Sequence, residues 1–122
     1  MSKNLFLSPI LAPVYEDIAF EFRDVTAGTA QTYILDMSAS FPYTIVSVTL
    51  VVDTGTLTGV AIKIVSTAVT NMDSITITNS ITTTSSTGAK AVALTNAVSL
   101  VTSTGYSGAP TLLRGKLKIV RT

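Results

Sequence analysis

The feature that most constrains this chain is its period. From Glu16 to the end, apolar and β-branched residues recur at a spacing of two, and no window holds the apolar stripe of a 3.6-residue repeat. Residues 17–23 set Ile18, Phe20 and Phe22 against Ala19, Glu21 and Arg23, the pattern of a half-buried strand. Residues 33–37 repeat it with Tyr33, Leu35 and Met37 on one face, and Pro42 then marks a loop or a strand start. Residues 43–53 form the strongest strand, β-branched or aromatic at most positions. Asp53-Thr54-Gly55 carries the chemistry of a tight turn and predicts a hairpin into residues 57–65, where Val60, Ile62 and Ile64 oppose Ala61, Lys63 and Val65. Residues 74–79 alternate Ile with Thr. The Ser/Thr run 82–87, which ends at Gly88, fits a loop better than a Thr-rich edge strand. Residues 89–101 divide at Asn96 into short strands near 90–94 and 98–103. A Gly/Pro loop over 104–111 leads to a closing strand, 112–120, with Leu113, Leu117 and Ile119 inward and Arg114, Lys116 and Lys118 outward. About eight strands and no helix predict an all-β fold, an antiparallel, jelly-roll-like β-sandwich over residues 16–122. No internal repeat argues for a solenoid.

A chain of 122 residues suits one domain. Hydrophobic residues make up 47% but charged residues only 12%, about half the roughly 25% usual for a globular domain. The surface must therefore be Ser, Thr, Ala or exposed aliphatic, and exposed aliphatic surface is normally covered by something. The central strand sharpens the point, because Leu50, Val51 and Val52 place apolar side chains on both faces. A homo-oligomer or a larger assembly is expected. Residues 1–15 predict an extended N-terminal arm. Pro9 and Pro13 disfavour helix, yet Leu5, Phe6, Leu7, Ile10, Leu11, Val14 and Tyr15 make the arm too apolar for a solvated tail. It either folds back on its own domain or docks on a neighbouring subunit. These residues are the candidate partner-binding set. The arm makes a poor signal peptide, and no run reaches the ~20 apolar residues of a membrane-spanning helix, so no membrane partner is expected.

The net charge of +1 gives no bulk attraction for nucleic acid, and none is expected as a partner. Charge is nevertheless segregated. Glu16, Asp17, Glu21, Asp24, Asp36 and Asp53 come early, with only Asp73 after them, whereas Arg114, Lys116, Lys118 and Arg121 close the chain. Either the first and last strands pair with complementary faces, or a basic edge meets an acidic partner.

The inventory points away from catalysis. His and Cys are absent, which removes the commonest general base, Cys- and His-based nucleophile arrangements, soft metal ligands and disulfides. Glu16 and Asp17 are adjacent, so on a strand they point to opposite faces. Asp53-Thr54-Gly55 resembles the active-site turn of aspartic proteases, whose dyad a dimer can build. The sequence around Leu57 and Gly59 departs from that pattern, and Arg114 stands where a supporting Gly would follow Leu112-Leu113. The acidic residues show no calcium-loop spacing. No enzyme activity, cofactor or metal is expected. For a glycan the candidates are Tyr15, Tyr33, Tyr43 and Tyr106. Tyr106, in the Gly/Ser loop 104–109, is the best placed for a loop contact, against the plainer reading of a tyrosine packed on the rim.

Residues 50–64, LVVDTGTLTGVAIKI, the Ser/Thr-rich loop after them and the closing 113–119, LRGKLKI, resemble small β-sandwich virion modules of tailed bacteriophages. The likeness covers roughly residues 30–122. It implies a virion location with assembly in the host cytoplasm, a capsid decoration (cement) or head- or tail-fibre role, a homotrimer, and the major capsid protein or other virion proteins as partners. A receptor- or glycan-binding fibre domain is the alternative it leaves open.

Overall fold

The computed structural model describes residues 14–122. Eleven strands follow one another: β1 (Tyr15–Phe22), β2 (Thr32–Asp36), β3 (Tyr43–Val52), β4 (Thr56–Ile64), β5 (Thr67–Ala68), β6 (Ile75–Ile77), β7 (Thr82–Ser85), β8 (Ala91–Val92), β9 (Val98–Val101), β10 (Tyr106–Ser107) and β11 (Leu113–Arg121). They form two antiparallel sheets. One runs β1-β11-β3-β7 with β8 also on β3, and the other runs β10-β4-β9-β2 with β5 and β6 also on β4. This is the expected all-β sandwich.

The strand number exceeds eight because three partners of the long strands are interrupted. Along one edge of β3, β8 pairs with Tyr43 and Thr44 and β7 pairs with Ser47 to Leu50. Between them, Ile45 N donates to Lys90 O and Ser86 N to Val46 O, each at 3.0 Å. Likewise β9 and β10 follow one edge of β4, and β5 and β6 follow the other. The two-residue strands β5, β8 and β10 are pieces of these ribbons.

The inner faces meet in one core. Tyr43, Ile45, Val48, Leu50 and Val52 of β3 and Leu113, Leu117 and Ile119 of β11 face Leu57, Val60 and Ile62 of β4 and Leu100 of β9, all at most 2% exposed. Ile18, Phe20, Phe22 and Leu35 pack against this core from the edges, half-buried. At roughly 25 cal/mol per Å² of apolar surface removed from water, such burial is the main favourable contribution to folding.

Three expectations change. Residues 82–87 are not a loop, because β7 occupies Thr82–Ser85. β-branched threonines suit an edge strand with one wet face, and the Thr83 and Thr49 hydroxyls bond across the pair at 2.9 Å. Asp53-Thr54-Gly55 is a turn but not a hairpin, since β3 and β4 belong to different sheets and the three residues carry the chain across the sandwich. Met37 does not join Tyr33 inside. The strand ends at Asp36 after a register shift, and Met37 is 81% exposed.

The doubly apolar end of the central strand is as read, with Leu50 and Val52 inward and Val51 on the outer face, and a bulge lies upstream of it. The β3–β11 register pairs Lys118 with Ser47 but Ile119 with Ile45, so Val46 is an extra residue in a β-bulge. Side-chain parity switches there: Tyr43 and Ile45 point inward before the bulge, and Val48, Leu50 and Val52 after it. On the outer face Val51 shares a shallow dip with Ala19, Thr49 and Ile81, flanked by Arg114 and Lys116. Long cationic side chains cover apolar surface with their methylene stems.

Candidate interaction surface

β1 pairs with β11 along its whole length, from Tyr15 opposite Val120 to Phe22 opposite Leu113. Complementary faces of the first and last strands account for the segregated charge. The register sets Asp17 opposite Lys118 and Glu21 opposite Arg114, and Lys116 reaches Asp17 at 3.6 Å. Arg121 donates to both oxygens of Glu16, at 2.7 and 3.2 Å, which holds that carboxyl below its ordinary range. Its guanidinium also lies 3.8 Å from the Phe41 ring centroid. The cations of β11 do not form a basic edge, because β11 is an interior strand between β1 and β3.

Asp53 holds the sheet-crossing turn. Its carboxylate accepts bonds from Thr111 N at 3.0 Å, Thr111 Oγ1 at 2.9 Å and Leu112 N at 3.2 Å, and its own N–H donates to Leu112 O. These donors, the Thr111 amide foremost, pull its pKa down to about 2. Gly55, at φ +68°, lies so close to the Ser107 carbonyl and Gly108 that a side chain there would collide with backbone. The resemblance to a protease turn thus resolves into a clamp between the β3–β4 corner and the segment entering β11.

The four tyrosines separate by burial. Tyr43 is buried, and its hydroxyl donates to Asp36 Oδ2 at 2.8 Å; burial and that neighbouring charge raise its pKa. Tyr33 is buried and donates to Gln31 Oε1, with its pKa raised mainly by burial. Tyr106 lies in β10, 52% exposed, with its ring edge against Gly28. It is a rim tyrosine with one open face. Tyr15 is the first residue of β1, 52% exposed, with Lys118 Nζ 4.6 Å from its ring centroid. Val14 precedes it, 63% exposed. Leu5, Phe6, Leu7, Ile10 and Leu11 of the candidate set lie outside the described residues. Among the described residues no three carboxylates gather into a cation-binding group, and no helix is long and apolar enough to cross a membrane.

The two long sides of the sandwich differ. On one, the sheets are tied together: Thr87 N donates to Thr70 O at 3.2 Å, Asn71 Nδ2 to Ser85 O at 2.8 Å and Val52 N to Thr78 O at 3.0 Å. On the other, β1 and β2 are the edge strands of their sheets, and among the described residues neither has a backbone partner on its outer side. Their contact is through side chains, with the Phe22 and Tyr33 ring centroids 4.6 Å apart. Farther along this seam a cleft of about 290 Å³ opens between Ile18, Leu35 and Phe41, with Glu16, Asp36 and Ser40 around it. Among the described residues eight large apolar side chains are exposed, and four of them (Val14, Tyr15, Ile34 and Met37) belong to or adjoin these two strands. Sequence reasoning missed the seam, because an edge is defined by which strands do not pair.

No family model, no curated protein and no solved structure matches this chain.

Proposed function

We propose that this chain is a structural protein of a bacteriophage virion, a capsid decoration protein that stabilises the head by contacts between subunits, acting as a trimer on a shell of major capsid protein. The observation that carries the reading is the one-sided sandwich: one long side is tied shut, and the other is an unpaired seam with apolar side chains around it. Residues 1–13, with Leu5, Phe6, Leu7, Ile10 and Leu11, precede β1 in the sequence. The likeness of residues 50–64 and 113–119 to virion modules supplies the setting. Low charge and the Thr/Ser edge strand β7 suit a protein that works by many weak contacts at once, since linked contacts raise avidity by orders of magnitude with no single strong site. The test is co-sedimentation with capsid shells. The full chain is expected to pellet with shells, and a chain lacking residues 1–13 to stay in the supernatant; equal pelleting of both removes the anchoring role.

A further inference from the structure

We infer that β1 is a strap: it lifts off β11 as one unit, hinged at Arg23 and Asp24, while the rest of the sandwich stays folded, and its latch is ionic, so that acid opens it. Burial separates β1 from the other long strands. None of its eight residues is buried, and its inward side chains Ile18, Phe20 and Phe22 are only half-buried at the rim of the core. Every other strand of five residues or more has a buried residue, including β2, the edge strand across the seam, where Tyr33 is 8% exposed. Segments with few buried apolar contacts open at a lower free energy than the whole fold. The strap also has a marked end. Arg23 and Asp24 are exposed and lie outside any strand; directly after them Val25 is buried and donates its N–H to Thr111 O at 3.2 Å. Lifting therefore stops at a pinned residue.

What lifting leaves behind is still a sandwich. β11 pairs with β3 along its whole length, from Leu113 opposite Val52 to Arg121 opposite Tyr43. Without β1 it becomes the sheet edge, and its outer face carries Arg114, Lys116 and Lys118, the charged side chains that keep natural edge strands from pairing with other chains. The same cations hold the strap down. Arg121 grips Glu16, Lys116 reaches Asp17, and Lys118 lies over the Tyr15 ring. Arg114 stands opposite Glu21, whose carboxylate is bonded to Arg23. Across the cleft the carboxylate of β2 is Asp36, taken up by the Tyr43 hydroxyl and the Ser38 N–H. Protonating Glu16, Asp17 and Glu21 removes the attraction and leaves the β11 cations, two residues or about 7 Å apart along the strand, repelling one another. Glu16 shows the sign: Arg121 holds its carboxyl below the ordinary 4.5, so its contribution is present above that pH and is lost as the pH falls through the lower value. Residues 1–13 join the rest of the chain through β1, so a partner that holds them pulls on the strap first. The opening itself is independent of the decoration role.

Hydrogen exchange of the full chain, followed amide by amide by NMR and expressed as protection factors, tests the strap. At pH 6 the hydrogen-bonded amides of β1 are expected to share one protection factor, about 100-fold below that of central β3, as for a unit that opens below the global free energy. The amides of β2 that bond β9 are expected to stay well above β1, although β2 is an edge strand too. Values that climb steadily from Tyr15 to Phe22 mean fraying from one end, values equal to those of β3 mean that β1 opens only with the whole fold, and a β2 as open as β1 means ordinary edge behaviour. Each of these overturns the strap. For the latch, β1 protection is expected to fall about five-fold from pH 6 to pH 3, a modest change because exposed ion pairs are weak. Glu16→Gln/Asp17→Asn chains are expected to show the lowered β1 value already at pH 6, with β3 protection there unchanged. A β1 protection that neither acid nor this double substitution moves overturns the ionic latch.

Discussion

Asp53 gathers three donors from residues 111 and 112 onto one carboxylate, and the physical result is a pH dependence. Its folded pKa, about 2, lies below the ordinary 3.8. Its stabilisation is therefore complete above pH 4 or so and fades as the pH falls from there toward 2. Melting temperatures across pH 2–5 are expected to drop on the acid side in the parent. In Asp53→Asn the starting value is lower and that part of the slope is missing. Gly115 is the second residue whose role is packing. It occupies an inward position of β11 between Leu113 and Leu117, and an added methyl would press on the Thr49 carbonyl, on Leu50 and on the Phe20 ring, 2.9 Å away. Gly115→Ala is expected to cost about 1–3 kcal/mol in denaturant titration, the range for an overpacked core. Tyr43→Phe leaves the ring in place but removes the bond to Asp36, and should cost about 1.5–3 kcal/mol, as for hydrogen bonds to charged groups.

At the scale of elements, the bulge at Val46 decides which face of β3 is buried. Deleting Val46 removes the extra residue and turns Tyr43 and Ile45, now buried at 2% and 0% exposure, toward water. The expected outcome is loss of the near-ultraviolet circular dichroism signal and of a cooperative melt, well beyond the effect of Val46→Ala. The pairing of β1 with β11 has its own test. Arg121 both bonds Glu16 and lies over Phe41, so Arg121→Ala should lower the melting temperature more than Glu16→Gln, which removes only the first contact. Much of this level was legible in the sequence. The alternation in 17–23 and 112–120 located β1 and β11, and opposite charges on their outer faces predicted the pairing. The edge strand β7 was not legible, because Ser and Thr suit loops and wet strand edges equally, and only the presence of β3 alongside selects the strand.

For the whole molecule, the proposed decoration role makes a prediction about the behaviour in solution. Contacts between copies predict a mass above that of the monomer by light scattering, and a trimer in particular. A monodisperse monomer at high concentration would remove that reading.

Periodicity, β-branching and turn chemistry are local, and they determined that the chain forms strands, where most of them lie, which residues of β1 and β11 face inward, and that the first and last match in charge. The tertiary structure decided the rest: that Asp53-Thr54-Gly55 crosses between sheets, that a bulge switches the parity of β3, that one long side is bonded shut, and that β1 and β2 are edge strands whose outer sides have no backbone partner among the described residues. Each of these depends on which distant segments share a sheet. A period of two reports that a strand has a dry face, but the partners on its two edges are chosen by packing among segments tens of residues apart.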